Sequence, residues 1–334
     1  MQWHDGADYC EWGSAARRPL VAFDGAHKGE WLDSVIGPDA ASGQPTIYHI
    51  VRCELCICTH IWPLPDETAL KTYYETQFYQ VDKVDMVARY ERDRDWWEQC
   101  VHGPILRHVN ALLPSIVHPR ILDVGAGVGI ALDVAKHEYG FSTWGLEPNK
   151  DLCINLQRRG HCVMQGTLDD YVWKQKYHCL YLYETLEHMP WPEETLLRCY
   201  DLLEPGGVIV VVVPNDYNPL QLAACKYLDM NPWWLAPPQH LFYFTPKTLQ
   251  LLVRRCGFTI QSMRGSYPLE RELLQGRNYV GNDAIGRQVH EERMGYEMAM
   301  LHKGKWSEVE EEYAENLRHR EGREIICIAQ KGII

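Results

Sequence analysis

Glu184-Thr185-Leu186-Glu187-His188 sets two carboxylates and an imidazole at i, i+3 and i+4. On a helical turn these positions share one face. A histidine so placed can take a proton as general base near neutral pH. The plainer alternative is that the Glu-His pair only caps and orients the turn. A second histidine follows in Pro237-Pro238-Gln239-His240. Upstream, Asp123-Val124-Gly125-Ala126-Gly127-Val128-Gly129 forms a glycine loop. Such a loop lets backbone approach a ligand closely, and the helix after it offers unbonded N–H groups. Ile130 stands where a dinucleotide fingerprint wants its third glycine. Glu147 ends the next run of strand formers. A carboxylate there can accept hydrogen bonds from two ribose hydroxyls. A third constellation, Cys53-Glu54-Leu55-Cys56-Ile57-Cys58-Thr59-His60, combines C-x-x-C spacing with further sulfur and imidazole groups.

These residues need elements to position them. Residues 118–334 alternate strand and helix signals, which predicts an α/β fold whose largely parallel sheet is covered on both faces. Strands are expected at 120–124, 142–147, 162–164, 178–183, 208–213 and 258–263, and helices at 130–139, 151–159, 192–203 and 248–255. The 208–213 run is apolar throughout, as a central strand buried on both faces requires. The glycine loop and the Glu184 turn then fall at strand carboxyl ends, where open α/β sheets bind ligands. A last strand at 324–330 returns after a polar, helix-forming insertion at about 268–322, antiparallel beside the sixth. In that insertion His290, Arg293 and Glu297 share a helical face, to be solvated, to shape a pocket or to meet a second copy in a homodimer. Residues 71–115 read as a helical lid or linker broken at Gly103-Pro104. Tyr73, Tyr74, Phe78 and Tyr79 are lid candidates, as is the Trp233-Trp234 loop. Residues 1–70, rich in glycine and proline, read as an irregular cap.

The glycine loop, Glu147 and Leu203-Glu204-Pro205-Gly206-Gly207, in this order, resemble the class I S-adenosylmethionine-dependent methyltransferases. The resemblance spans about residues 75–265 and the final strand. It implies a Rossmann-like sheet of seven mostly parallel strands, the last antiparallel, with helices on both faces. It carries Asp123, Gly125, Ala126, Gly127, Glu147, Thr167 and Leu168 to binding of S-adenosylmethionine, with Glu184 beside them; Leu168 also reads as a plain core leucine. The E-x-x-E-H turn with a later histidine resembles the quinone-biosynthesis and sugar O-methyltransferases, and also the small-RNA 2′-O-methyltransferases. This makes His188, His240 and Glu187 the catalytic candidates. It also implies a divalent-cation set, Glu184, Glu187, His188 and His240, with Mg2+ as the ion. The cysteine run is similar to the second half of a zinc-binding N-terminal module of some sugar-modifying methyltransferases. That implies Zn2+ on Cys53, Cys56, Cys58 and Cys10. The sequence departs from the module, which begins with another C-x-x-C where this chain has only Cys10 and His4. Reduced thiols on a relic strand are the alternative.

The chain has 334 residues, 46% hydrophobic and 23% charged, a globular composition. Its net charge of −12 argues against a protein whose main task is gripping nucleic acid. No aliphatic run approaches the length of a membrane span. Residues 1–10 lack the apolar stretch of a secretory signal. The expectation is a cytoplasmic enzyme, its 12 cysteines reduced, with no membrane partner. The expected reaction is O-methylation of a small hydroxylated acceptor: a sugar, a nucleotide-sugar, or a quinone- or polyketide-like compound. The alternatives are an RNA ribose 2′-O-methyltransferase and a catalytically degenerate binding or assembly subunit.

Overall fold

A computed structural model describes residues 29–53, 56–78, 84–113, 116–172 and 174–333. The chain begins with β1 (Gly29–Pro38), β2 (Pro45–Cys53) and β3 (Thr59–Trp62), then α1 (Glu67–Thr76) and α2 (Met86–Arg92). The stretch expected to be irregular is therefore an antiparallel β-meander from residue 29 to residue 62. Its prolines and Gly43 sit at the β1–β2 turn, where Pro38 faces Pro45, while Tyr48 and Ile50 alternate into the core.

Next come α3 (Arg94–Trp96), a π-helical turn (Trp97–His102) and α4 (Gly103–Leu112). The expected break at Gly103-Pro104 does not occur. The widened turn carries the helix into Pro104, whose missing N–H falls in the first turn of α4. A Cβ at Gly103 would lie 2.7 Å from the Glu98 carbonyl, so the turn needs glycine there.

The remaining elements are β4 (Arg120–Val124), α5 (Ile130–Tyr139), β5 (Ser142–Glu147), α6 (Lys150–Arg158), β6 (Cys162–Gln165), β7 (Tyr177–Tyr183), α7 (Pro192–Leu202), β8 (Leu203–Pro214) and α8 (Pro219–Leu228). They are followed by β9 (Phe242–Tyr243), α9 (Pro246–Arg255), β10 (Thr259–Gly265), α10 (Arg271–Leu274), α11 (Asp283–His302), α12 (Trp306–Arg318) and β11 (Glu324–Gln330). Seven strands form one sheet in the order β10-β11-β8-β7-β4-β5-β6. Strands β4 to β8 run parallel, and β11 inserts antiparallel between β8 and β10. Strand order reverses around β4, which puts the ligand-binding switch point at its carboxyl end.

Strand β8 sends Ile209, Val211 and Val213 into one core and Val208, Val210 and Val212 into the other. All six are fully buried, and each contributes about 1.5–3 kcal/mol relative to exposure. The meander joins β9 in a second sheet, β1-β2-β3-β9, whose Tyr48, Ile50, Ile61 and Phe242 share the first core. Among the described residues no helix is long and apolar enough to cross a membrane.

Candidate functional site

A cleft of about 1480 Å³ runs over the carboxyl ends of β4, β5 and β7. That exceeds the roughly 300–1,000 Å³ of a pocket for one small ligand and leaves room for two. At one end, Gly125 (φ +78°) turns the chain out of β4, and its N–H and that of Ala126 donate to the Leu146 carbonyl. A Cβ at Gly125 would lie 2.7 Å from Thr185 Oγ1, so the glycine lets this loop touch the Glu184 turn. Gly127 N–H donates to Glu147 Oε2 at 2.8 Å, and Asn149 N–H to Oε1 at 2.8 Å. Burial pushes the Glu147 carboxyl up to about 7, against the pull of these two amides. Burial, with the Glu147 charge adding, pushes Asp123 up to about 8. Thr167 opens a 3-10 turn, its N–H donating to Asp170 Oδ2, and Leu168 is buried behind it. All the residues expected to hold the cofactor, Glu184 included, line this cleft. They fit a nucleoside. Each Glu147 oxygen keeps a lone pair for a ribose hydroxyl, and the glycine loop leaves no side chain in the way.

The Glu184 turn differs from the helical face expected. Glu184 has φ +48°, its N–H donates to the Val212 carbonyl, and only residues 186–188 make a 3-10 turn. Glu187, His188 and His240 offer ligand atoms within 4.8 Å of one another; Glu184 stands outside this group. Its left-handed backbone breaks the i, i+3 relation. Glu187 is 1% exposed, and its two oxygens have no hydrogen-bond partner among the described residues. Burial, then the Glu184 charge, holds its carboxyl well above the usual range. One carboxylate with two imidazoles does not fit Mg2+, which prefers a near-octahedral set of oxygens.

His188 Nδ1 lies 2.6 Å from the Gln239 carbonyl and 2.9 Å from the Tyr74 hydroxyl. A carbonyl cannot donate, so Nδ1 carries the proton and donates to it. Nε2 is then the basic nitrogen, 3.8 Å from Glu187 Oε1. The His240 ring stands edge-on, 5.0 Å from that of His188.

The lid candidates divide. Tyr74 and Phe78 line the cleft, Tyr73 packs behind them, and Tyr79 lies outside the described residues. Trp234 is buried against Trp233 and Tyr217, in the core of the two sheets. On α11, His290 lines the cleft, Glu297 is buried and accepts from Trp96 Nε1–H, and the half-buried Arg293 lies over the Trp96 ring. The cleft also gathers Tyr90, Trp97, His102, Tyr279, Arg287 and Arg323. No local pattern marks these residues, because they come from separate elements.

In the cysteine run, Cys53, Cys56 and His60 bring ligand atoms within 4.8 Å of one another. Cys58 is buried beside this group but not part of it, and Cys10 lies outside the described residues.

A family model described as a methyltransferase domain matches residues 96–263, half of the chain. The chain belongs to this family. The glycine loop, Glu147, the Glu184 turn and His240 all fall within the matched span of the methyltransferase, while Tyr74 and Phe78 precede it. A ubiquinone biosynthesis O-methyltransferase of Saccharophagus degradans is 26% identical over 210 residues, which are 57% of this chain and 87% of that protein. One of Nitrosococcus oceani is 25% identical over 214 residues, 58% of this chain and 89% of that protein. The crystal structure of an S-adenosylmethionine-dependent methyltransferase from Archaeoglobus fulgidus is 18% identical. It matches with a TM-score of 0.46 over 73% of this chain and 99% of that one.

Proposed function

We propose that this methyltransferase O-methylates a small quinone-like or polyphenolic acceptor, with His188 as general base. When bound, S-adenosylmethionine supplies an electrophilic methyl group on a sulfonium. Glu147 would hold its ribose and the glycine loop its methionine end. His188 Nε2 is placed to take the acceptor's hydroxyl proton as that oxygen accepts the methyl group the sulfonium would supply, with the thioether as leaving group. Tyr74 and Phe78 wall this end of the cleft against water. The observation that carries the reading is the Gln239 carbonyl at 2.6 Å, which leaves Nε2 as the basic nitrogen in the cleft that Glu147 also lines. The two ubiquinone-pathway relatives support the class of acceptor.

The test is release of S-adenosylhomocysteine from S-adenosylmethionine with 3,4-dihydroxybenzoate or with a short RNA, each with and without EDTA. Turnover of the catechol that EDTA leaves unchanged is expected. Turnover of the RNA alone would overturn the acceptor class. Loss with EDTA and recovery with added metal would replace the base by a bound cation.

We also propose that Cys53, Cys56 and His60 hold a zinc ion. Three observations support this. The ligand atoms lie together in a buried site. Cys56 N–H donates to Cys53 Sγ at 3.4 Å, which fixes that sulfur beside Cys56. His60 Nδ1 meets the Ile61 carbonyl at 2.7 Å, which leaves Nε2 as the nitrogen to serve as ligand. Zinc would pin β3, which pairs with β9 two residues after His240. Elemental analysis of purified protein should find about one zinc per chain, absent from the Cys53→Ser, Cys56→Ser double variant; metal-free wild-type protein with all its thiols titratable would exclude the site.

A further inference from the structure

Helix α1 begins at Asp66, whose side chain accepts the N–H groups of Thr68 and Ala69, and it precedes the family-matched span. Its Tyr74 reaches 114 residues along the chain to the reaction centre. The hydroxyl donates to the Gln239 carbonyl at 3.0 Å and lies 2.9 Å from His188 Nδ1. The same carbonyl accepts the Nδ1 proton at 2.6 Å. Phenol, imidazole and carbonyl thus close a three-membered clamp. Gln239 adjoins His240, so the clamp ties both histidines to α1. The rings of Tyr74 and Phe78 stand edge-on to His188, at 5.7 and 6.2 Å.

We propose that Tyr74 is the positioning residue of His188, and that α1 is therefore a working part of the reaction centre. This rests on His188 as the base. The phenol oxygen and the carbonyl oxygen both face the Nδ1 edge. Both strengthen as acceptors when Nε2 takes a proton and the ring becomes a cation. A ring turned over would set the Nε2–H edge on this clamp and leave Nδ1 as the base, aimed elsewhere. The hydroxyl holds one orientation before the acceptor arrives, which is where positioning lowers a barrier. A tyrosine there for packing alone would have no need of its hydroxyl, and phenylalanine would serve as well. α1 is also tied by Lys71 to Asp170, an exposed pair of small worth, and by Trp191 Nε1–H to Glu67. Neither reaches the histidines.

The test is a double-mutant cycle of Tyr74→Phe and His188→Ala in the full chain, with 3,4-dihydroxybenzoate as acceptor. Tyr74→Phe should lower kcat about tenfold, the worth of one hydrogen bond to a charged group, and leave KM for S-adenosylmethionine within twofold. Added to His188→Ala it should have little further effect, because the proposed route runs through that ring. A parallel reading needs no turnover. Nitrogen-15 shifts of the His188 ring, in protein saturated with S-adenosylhomocysteine, should report Nδ1–H alone in the wild type and a mixture in Tyr74→Phe. Independent, multiplying losses in the cycle, an Nε2–H ring in the wild type, or a Tyr74→Phe protein unchanged in both readings would overturn the proposal. If no catechol is methylated, the acceptor reading falls while the ring spectrum still decides the role of Tyr74.

Discussion

Glu147 accepts an N–H on each oxygen while lining the cleft, and burial raises its carboxyl to about 7. The raised value sets the sign of a pH effect. Only the carboxylate accepts from both ribose hydroxyls, so affinity for S-adenosylhomocysteine should be full above about pH 7. It should fall by up to about tenfold per pH unit below that. Calorimetry between pH 5.5 and 8 reads this directly; a flat profile would contradict the role given to Glu147. Glu147→Ala should weaken binding at least about tenfold at pH 8, by loss of hydrogen bonds to a charged group. His188→Ala should leave that affinity within twofold and lower kcat by about 10²–10⁴, the usual worth of a general base. Single-turnover methyl transfer separates the two variants. Both residues were legible in the sequence because each stands beside a local landmark: Glu147 at the end of a strand, His188 after a strand that runs into a polar turn.

Helix α5 shows how an element sets a site. It starts at Gly129 (φ +74°), and a Cβ there would drive into Leu156 Cδ2 of α6. Gly129→Ala should therefore cost about 1–3 kcal/mol, from backbone strain and displaced packing, and should be read in a urea titration. It should also loosen cofactor binding, since the loop from Gly125 to Gly129 moves with the helix. The strands and helices from β4 to α7 were legible to within about a residue, because each carries its own period, cap or glycine stop, whereas β8 begins at Leu203, ahead of the expected 208, and runs through Pro205-Gly206-Gly207. The meander was not. Its glycines and prolines dominate a local reading, while its strands are held by pairing with one another and, at β3, with β9, some 180 residues away. The π-turn was hidden for a related reason. Gly103-Pro104 carries a break signal, and the neighbouring turn absorbs it.

At the scale of the molecule, the insertion closes over the N-terminal helices. Glu297 of α11 accepts from Trp96 Nε1–H, the Tyr313 hydroxyl and Arg293. Glu297→Gln keeps the shape but removes the charge that pairs with the half-buried Arg293, at about 1.5–3 kcal/mol. A lower urea midpoint with an unchanged slope is expected; an unchanged midpoint would mean that the insertion adds little to the fold. The sequence by itself determined the α/β class, the glycine loop with its acid, and the Glu187-His188 pair. Backbone conformation and hydrophobic period are set by near neighbours, and a chain displays them without folding. Only the tertiary structure decided that Glu184 leaves the group formed by Glu187, His188 and His240. It alone joined His60 to Cys53 and Cys56, and laid Tyr74 on His188. Those meetings depend on which surfaces exclude water together, and that is a property of the packed whole rather than of any segment.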